Sequence, residues 1–549
     1  MSINQALAEA FSEIAKLTEL LGGDKFRAIA HDKVSRIVEG YPSDMSTVVA
    51  AAGIDARKKL VEIEGIGPKI ADKIIEFVTT GKLKELDELR AQVPAGLMPL
   101  MQIPGLGPKT LHTLWKDGGV ENLSGLKALI ANGKILDLPR MAAKSVAKLK
   151  ESIALAEQGS VRLPLGLAMP IAEAMVERLK KVKGVTRAAF AGSLRRGKET
   201  IGDIDILVAT SDPAKVGEEF RGAPEVVQVI SAGETRSSVR IAIGKDAGRW
   251  GTLDDNMAGP TIQVDLKIIP EDSWGAAMYY FTGSKDHNVA VRGRALDMGL
   301  TLNDYGLYKD DKKPEPHKRG LKPLASRTEE DIFKALGLTF VPPEIRENRG
   351  ELKLKEAPRL IEIGDIKAEL HAHTTASDGD MSIEELAAQA QSRGFHTIAV
   401  TDHSKSSAIA GGLSPERLVE HIAAVRAAAG RVKGIAILAG SEVDILADGR
   451  LDYDDELLAQ LDVVVASPHA GLSQDPAAAT RRLIKAIENP FVRVLGHPTG
   501  RLINRRAGIS PDMAEVIAAA KQHSVALEIN AYWLRLDLRD LHVQMAVEA

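Results

Sequence analysis

One stretch constrains the fold of this chain more than any other: Gly192-Ser193-Leu194-Arg195-Arg196-Gly197, running on to Gly202-Asp203-Ile204-Asp205-Ile206-Leu207-Val208. Ile201 to Val208 alternates like a strand and then turns wholly apolar, the pattern of a strand entering a buried sheet. On such a strand Asp203 and Asp205 share one face. Two carboxylates side by side repel unless a divalent cation lies between them, as a metal–triphosphate site requires. Gly192 and Ser193 bring backbone N–H groups and a hydroxyl to the start of a helix or turn, where an anion can be held. Arg196 adds a planar, permanently charged fork suited to phosphate oxygens. A third carboxylate comes from Thr261 to Ile269, where Val264, Leu266 and Ile268 alternate with Asp265 and Lys267. A lone D-x-D pair fits solvated strand residues as well as it fits a metal site. The loop upstream and the acid on a second strand decide for the metal.

These residues resemble the palm of the family X DNA polymerases, whose pattern G-S-x-x-R-G followed by D-x-D is matched without a gap. A second block, Tyr280-Phe281-Thr282-Gly283-Ser284 followed by Asn288 and Arg292, strengthens the resemblance. Poly(A)- and tRNA-type nucleotidyltransferases share the first block and lack the second. The resemblance implies two metal ions, magnesium or manganese, on Asp203, Asp205 and Asp265. It places Gly192, Ser193, Arg196 and Gly202 at the triphosphate, with Tyr280, Phe281 and Gly283 under the incoming sugar. Asn288 and Arg292 would stand beside the new base pair. The implied substrates are gapped or primer–template DNA and deoxynucleoside triphosphates.

Charge alone does not announce nucleic acid: the formal net charge is −4, and residues 1–90 hold 13 Lys+Arg against 15 Asp+Glu. Cysteine is absent from the 549 residues. Disulfides and thiolate metal sites are therefore excluded, and any metal must take nitrogen and oxygen ligands. With no signal peptide and no apolar run long enough for a bilayer, the expectation is a cytoplasmic protein without membrane contact, working as a monomer.

Residues 1–50 read as amphipathic helices, with Leu7, Phe11, Ile14, Leu17 and Leu21 at helical spacing. Two similar segments follow, Ile63-Glu64-Gly65-Ile66-Gly67-Pro68-Lys69 and Ile103-Pro104-Gly105-Leu106-Gly107-Pro108-Lys109. Each has the form apolar-x-G-apolar-G-P-K and leads into a helix. A turn of this kind exposes N–H groups at a helix start, where they can hold one DNA phosphate. A single G-x-G is more often a tight turn. Two copies with the same Pro-Lys flank make helix-hairpin-helix DNA binding the better reading, through Gly65, Gly67, Lys69, Gly105, Gly107 and Lys109. A third, degenerate copy is read at Leu138-Pro139-Arg140-Met141. The run Lys69 to Ile74 is similar to the lyase domain of DNA polymerase beta, which implies Lys73 as a Schiff-base nucleophile for an abasic sugar. That chemistry needs a lysine activated by burial or by neighbouring cations. His31 falls where that family has a tyrosine.

Histidine marks a separate chemistry, since nine of the 13 lie in the last 179 residues. His371 and His373 face one way on a strand. Asp378 follows in a loop, and His403 comes after the strand Ile398 to Val400. Glu442 is read as following a strand Ile435 to Leu438, His469 as following Val463 to Ala466, and His497 as following Val492 to Leu495. Ligand candidates at the C-terminal ends of successive apolar strands are where (β/α) barrels build active sites. The pattern resembles the PHP (polymerase and histidinol phosphatase) domain, implying manganese or zinc on His371, His373, Asp378, His403, Glu442, His469 and His497. PHP domains end with a D-x-H pair on a last strand. No such pair is found here, so either the chain is truncated or the barrel is incomplete, with at least two metal positions expected to be weakened.

The chain is thus identified as a multidomain α/β member of the bacterial family X polymerases that carry a PHP domain. The expected order is a helical lyase-like domain with helix-hairpin-helix (1–88) and a second helical DNA-binding domain (89–158). A nucleotidyltransferase palm with a mixed β-sheet (159–270) and a subdomain binding the nascent base pair (271–350) come next. A linker (351–364) leads to a distorted (β/α) barrel lacking its last strand (365–549). The expected activity is two-metal nucleotidyl transfer into short gaps during DNA repair, with 3′-end hydrolysis by the PHP domain as exonuclease or phosphatase. The alternative is a protein that is mainly a metal-dependent hydrolase of DNA 3′ ends or abasic sites.

Overall fold

The computed structural model describes residues 3–41, 43–103, 106–139, 141–142, 146, 149–150, 153, 162–243 and 261–549. Gly105 and Arg140, one in the second glycine turn and one in the degenerate third copy, lie outside them. Two compact units divide the chain, Lys150–Leu360 and Met1–Leu149 with Ile361–Ala549.

The N-terminal region is helical. Helix α1 (Ile3–Leu20) buries Leu7, Phe11, Ile14 and Leu17 along one stripe against α2 (Lys25–Glu39), the spacing an amphipathic helix requires. Gly67 is the N-cap of α3 (Pro68–Thr80) and Gly107 that of α4 (Pro108–Lys116), each with proline at the first position. Proline suits that position because its missing N–H and fixed φ match a helix start.

In the second unit α5 (Leu165–Lys180) packs on a five-stranded sheet of β1 (Val185–Phe190), β2 (Asp203–Thr210), β3 (Val226–Ala232), β4 (Arg236–Ala242) and β5 (Thr261–Ile268). The spatial order is β1-β2-β5-β4-β3, and only the β2–β5 pair is parallel. Ile204, Ile206 and Val208 of β2 face the same core as Val264 and Leu266 of β5. The alternate residues of β2, Asp203 and Asp205, are therefore held on the opposite face. Beyond the sheet come α6 (Trp274–Thr282), α7 (Lys285–Asp297), the hairpin β6 (Leu300–Asn303) and β7 (Gly306–Lys309), and α8 (Glu329–Ala335), whose first turn Thr328 caps by accepting from the Asp331 N–H.

A buried ion triad ties the glycine-serine-arginine loop to this later part. Arg195 donates to Glu329 at 3.0 and 2.6 Å and Arg346 donates to it at 2.5 Å, with the Arg346 guanidinium among the rings of Tyr279, Phe333 and Phe340. Burial alone would push the Glu329 carboxyl up, but the two guanidiniums hold it below its usual range. Glu329→Ala would leave both cations uncompensated, a cost of roughly 3–5 kcal/mol that urea denaturation would read. Glu351, which opens the stretch read as a linker, is buried and accepts from His287 at 2.7 Å.

The C-terminal region is a six-stranded, all-parallel sheet in sequence order: β8 (Ala368–Ala372), β9 (Thr397–Val400), β10 (Ala436–Asp444), β11 (Val463–Ser467), β12 (Val492–Leu495) and β13 (Ala526–Leu527). Helices α9 (Ile383–Ser392), α10 (Pro415–Arg431), α11 (Pro476–Ile487) and α12 (Met513–His523) alternate with the strands. Leu418, Ile422 and Val425 of α10 and Leu483, Ala486 and Ile487 of α11 pack into one core with Ile437, Val464 and Val492. Each such buried aliphatic side chain contributes roughly 1.5–3 kcal/mol of transfer free energy. The strand read as ending at Leu438 runs on to Asp444, so Glu442 lies within β10 and not after it.

Candidate active sites

In the palm, β2 and β5 are in register, so Asp205 stands directly opposite Asp265 and Asp203 opposite Gln263. Paired residues on neighbouring strands share a face, which brings the three acids together. Gln263 Nε2 donates to both Asp265 oxygens at 3.1 and 3.0 Å. Burial, with Asp203 and Asp265 adding repulsion, pushes the Asp205 carboxyl up to about 7. Burial and then Asp265 also raise Asp203. Like charges held this close are the donor set of a divalent metal site.

Gly192 has φ +64°, and any Cβ there would collide with the Asp205 carboxylate. Only glycine lets the loop come this near the acids. Ser193 lies in the helical turn Gly192–Arg195, and Gly202 directly precedes β2, under the Arg162 guanidinium. Arg196 is already engaged, donating from Nε to Glu347 at 2.9 Å and from Nη1 to the Thr282 carbonyl at 2.5 Å. Gly283 lies against that guanidinium. Tyr280 and Phe281 pack edge to face with centroids 5.2 Å apart at the end of α6. Asn288 on α7 donates to the Tyr280 carbonyl at 2.7 Å, joining the two helices, while Arg292 is exposed. Loop, acids and α6–α7 thus form one continuous site.

In the N-terminal region Gly65, Gly67, Lys69, Gly107 and Lys109 are all exposed. Lys69 and Lys109 are the first residues of α3 and α4 to carry a backbone N–H, since proline precedes each, and a helix-start N–H of this kind suits an anion. The surroundings of Lys73 differ from the expectation. In place of neighbouring cations it meets the Glu85 carboxylate, and its ammonium donates to His31 Nε2 at 2.8 Å. His31 gives its Nδ1–H to the Arg27 carbonyl, which leaves Nε2 as the acceptor. Nothing in the local sequence flags Glu85, which lies twelve residues on and comes near only through folding.

The C-terminal cluster gathers around Glu442, which is almost wholly buried. Its Oε1 lies 3.2 Å from His371 Nε2, 3.2 Å from His469 Nε2 and 3.3 Å from His497 Nε2. Its Oε2 lies 3.4 Å from His373 Nε2 and 2.9 Å from His403 Nδ1. Donors about 2.1 Å from one ion stand about 3.0–3.4 Å from each other in octahedral or tetrahedral geometry. Glu442 Oε1 and His403 Nδ1 are buried without a hydrogen-bond partner among the described residues, a state that bound cations would satisfy. The residues fit a metal centre of more than one ion, with Glu442 spanning two sets of imidazoles.

Carboxylates also hold the far side of the rings. Asp378 accepts from His373 at 2.7 Å and lies 3.4 Å from His403, and Asp444 is bonded to His469 Nδ1. Asp402, fully buried, accepts from Thr374, Ser377 and His421. Burial opposes charge on the rings, but Glu442 with Glu528 and Asp378 outweighs it. His371 is pushed up to about 10, and His373 and His403 to about 9. His497 is lowered by burial. All seven expected ligands are brought together. Glu528, which sequence reasoning missed, joins them at 2.5 Å from His371 Nδ1. Its signal was there, an acid directly after the short apolar run Val525-Ala526-Leu527, in the position the other candidates occupy.

Family models match the chain in five places: a helix-hairpin-helix domain at 2–83, a SAM-like helix-hairpin-helix tandem at 97–155, the DNA polymerase beta palm at 162–235, the DNA polymerase beta thumb at 277–347 and the PHP domain at 369–531. The DNA polymerase/3′-5′ exonuclease PolX of Bacillus subtilis is 35% identical over 537 residues, 97% of this chain and 88% of that protein. The chain belongs to the family X DNA polymerases that carry a PHP domain. DNA polymerase lambda of Rattus norvegicus is 25% identical over 362 residues, 63% of this chain and 56% of that protein. A probable phosphatase of Caldicellulosiruptor bescii is 34% identical over 172 residues, 30% of this chain and 65% of that protein. Membership makes the chain a DNA polymerase, and its hydrolytic reading attaches to a second region. No described helix is long and apolar enough to cross a membrane.

Proposed function

We propose that this family X polymerase fills short gaps during DNA repair and that its PHP region trims DNA 3′ ends. The register that sets Asp205 opposite Asp265, beside the Gly192–Arg196 loop, carries the first part. Divalent ions, magnesium or manganese, held by Asp203, Asp205 and Asp265, supply Lewis-acid stabilisation of the reacting oxygens when bound. Ser193 and Arg196 bind the β- and γ-phosphates, and the Arg196 fork exchanges its Glu347 partner for phosphate oxygen. Tyr280 and Phe281 support the sugar, and Asn288 and Arg292 contact the new base pair. The primer 3′-oxygen attacks the α-phosphorus, and pyrophosphate leaves. The helix-hairpin-helix turns hold the DNA backbone without reading sequence.

In the C-terminal region, manganese or zinc on the histidines, Glu442 and Asp378 supplies an activated water for phosphoester cleavage. The buried, unpartnered Glu442 oxygen supports that reading. The protein works in the cytoplasm as a monomer. Asp205→Ala is expected to abolish incorporation at a one-nucleotide gap while leaving gel-shift affinity for the DNA within about twofold, since it removes a metal ligand and no DNA contact. Incorporation that survives the substitution would overturn the palm assignment.

A further inference from the structure

In the described six-stranded sheet β8 is one edge and β13 the other, with four strands between. Even so, a residue of one edge meets a residue just past the other. His371, on β8, places Nδ1 2.5 Å from Oε1 of Glu528, which directly follows β13. The other oxygen of the same carboxylate accepts the backbone N–H of His497 at 2.6 Å and lies 3.1 Å from His497 Nδ1. His497 follows β12. One side chain therefore spans the gap between the edges and holds two imidazoles that both point Nε2 at Glu442 Oε1.

The donors around Glu528 decide what it can do. Its two oxygens face the Nδ1 of His371, the Nδ1 of His497 and the backbone N–H of His497, and both Nδ1 atoms are the ring nitrogens not turned to Glu442. A carboxylate so occupied is an acceptor, and it fixes the proton of each ring on Nδ1. A histidine carrying its proton on Nδ1 presents a lone pair at Nε2, the state a metal ligand needs. Asp444 serves this purpose for the single Nδ1 of His469, whereas Glu528 serves two rings from different strands.

We propose that Glu528 is a shared positioning residue, a clasp from the end of β13 to β8 that sets the metal-binding tautomer of His371 and His497 together. The proposal rests on the reading of the histidine cluster as a metal centre. It implies an unusual response to an isosteric change. In Glu528→Gln the amide oxygen can serve the two His497 donors, but the NH2 group must then face His371 Nδ1. That ring can accept such a donor only by moving its proton to Nε2, where it blocks the metal. Glutamine keeps the shape of the clasp and turns one ligand the wrong way round.

The test is manganese binding to the full chain, followed by calorimetry, in a background of Asp203→Asn, Asp205→Asn and Asp265→Asn so that the palm takes up no metal. Thermal melts of the metal-free variants check the fold. Glu528→Gln is expected to melt like the background, yet to lose about 10–100-fold in manganese affinity, as His371→Ala does. Glu528→Asp, which keeps two acceptor oxygens, should recover part of the loss. Manganese binding by Glu528→Gln equal to the background would overturn the proposal, because a clasp that only braces the fold tolerates the amide. If the background itself takes up no manganese, the metal reading fails, and the proposal fails with it.

Discussion

The two catalytic regions assemble their charges in opposite ways. The palm gathers three carboxylates on one face, so burial and mutual repulsion leave Asp205 raised to about 7. The C-terminal region surrounds one buried carboxylate with five imidazoles, of which His371, His373, His403 and His469 are shifted towards the protonated form while burial lowers His497. With no metal bound, His371, His373 and His403 thus favour protons around the buried carboxylate, while the three palm acids repel one another. The two sites should answer differently to metal, pH and substitution.

The largest effect falls on the hub. Glu442 touches both sets of imidazoles, so Glu442→Ala should weaken manganese binding in the C-terminal region by more than about 100-fold. Nucleotide addition should be unchanged. Calorimetry in the palm-silenced background reads the first and gap filling by Glu442→Ala reads the second; a loss confined to one of two manganese equivalents would break the idea of a shared hub.

Next is the pH dependence of metal uptake. Histidines raised to about 9–10 must give up protons to bind metal, so affinity in the C-terminal region should climb steeply with pH below 9, by about tenfold per unit for each proton displaced. Heats measured in Tris and in HEPES would differ in proportion to the protons released. Equal heats would contradict the proton-filled picture.

A smaller effect concerns stability without metal. The folded pKa of Asp205, about 7, lies above the unfolded value of about 3.9. Below that unfolded value both states are protonated and nothing is lost. As pH rises towards 7 the unfolded chain ionises first, so stability falls, and above 7 the penalty is complete. Asp205→Asn should therefore stabilise the metal-free protein at pH 8 by about 1–3 kcal/mol after allowance for partial exposure, and by almost nothing at pH 4. Melts in chelator at the two pH values would expose the difference, and equal shifts at both would remove electrostatic repulsion as its cause.

The smallest effect is common to both regions. Lys69 and Lys109 flank the two glycine turns, so the double substitution to alanine should weaken DNA binding about 2–5-fold, with a shallower salt dependence. If one region used the turns and the other did not, KM would rise for one activity alone.

Much of this was legible in the sequence because the chemistry lies on short, periodic segments. The alternation in Ile201 to Val208 and in Thr261 to Ile268 put three acids on one face, and the register of β2 on β5 bears that out. Strand-end histidines led to the C-terminal cluster in the same way. What escaped was contact made only by folding. Glu528 follows a strand of two residues, too short to show a period. Glu85 meets Lys73 from twelve residues away, and Glu347 reaches Arg196 across 151 positions. Glu442 was recognised, but the end of its strand was misplaced because Gly440 and Ser441 interrupt the apolar run while staying in the ladder with β11.

The central claim is that one chain carries two separate metal centres, one adding nucleotides and one removing them. The most direct test uses a labelled primer beside a one-nucleotide gap with manganese, with and without deoxynucleoside triphosphates, for Asp205→Ala and His371→Ala. The account predicts that Asp205→Ala loses growth by one nucleotide and keeps 3′ shortening, while His371→Ala keeps growth and loses shortening. Loss of both activities in either variant, or shortening that persists in His371→Ala, would contradict it.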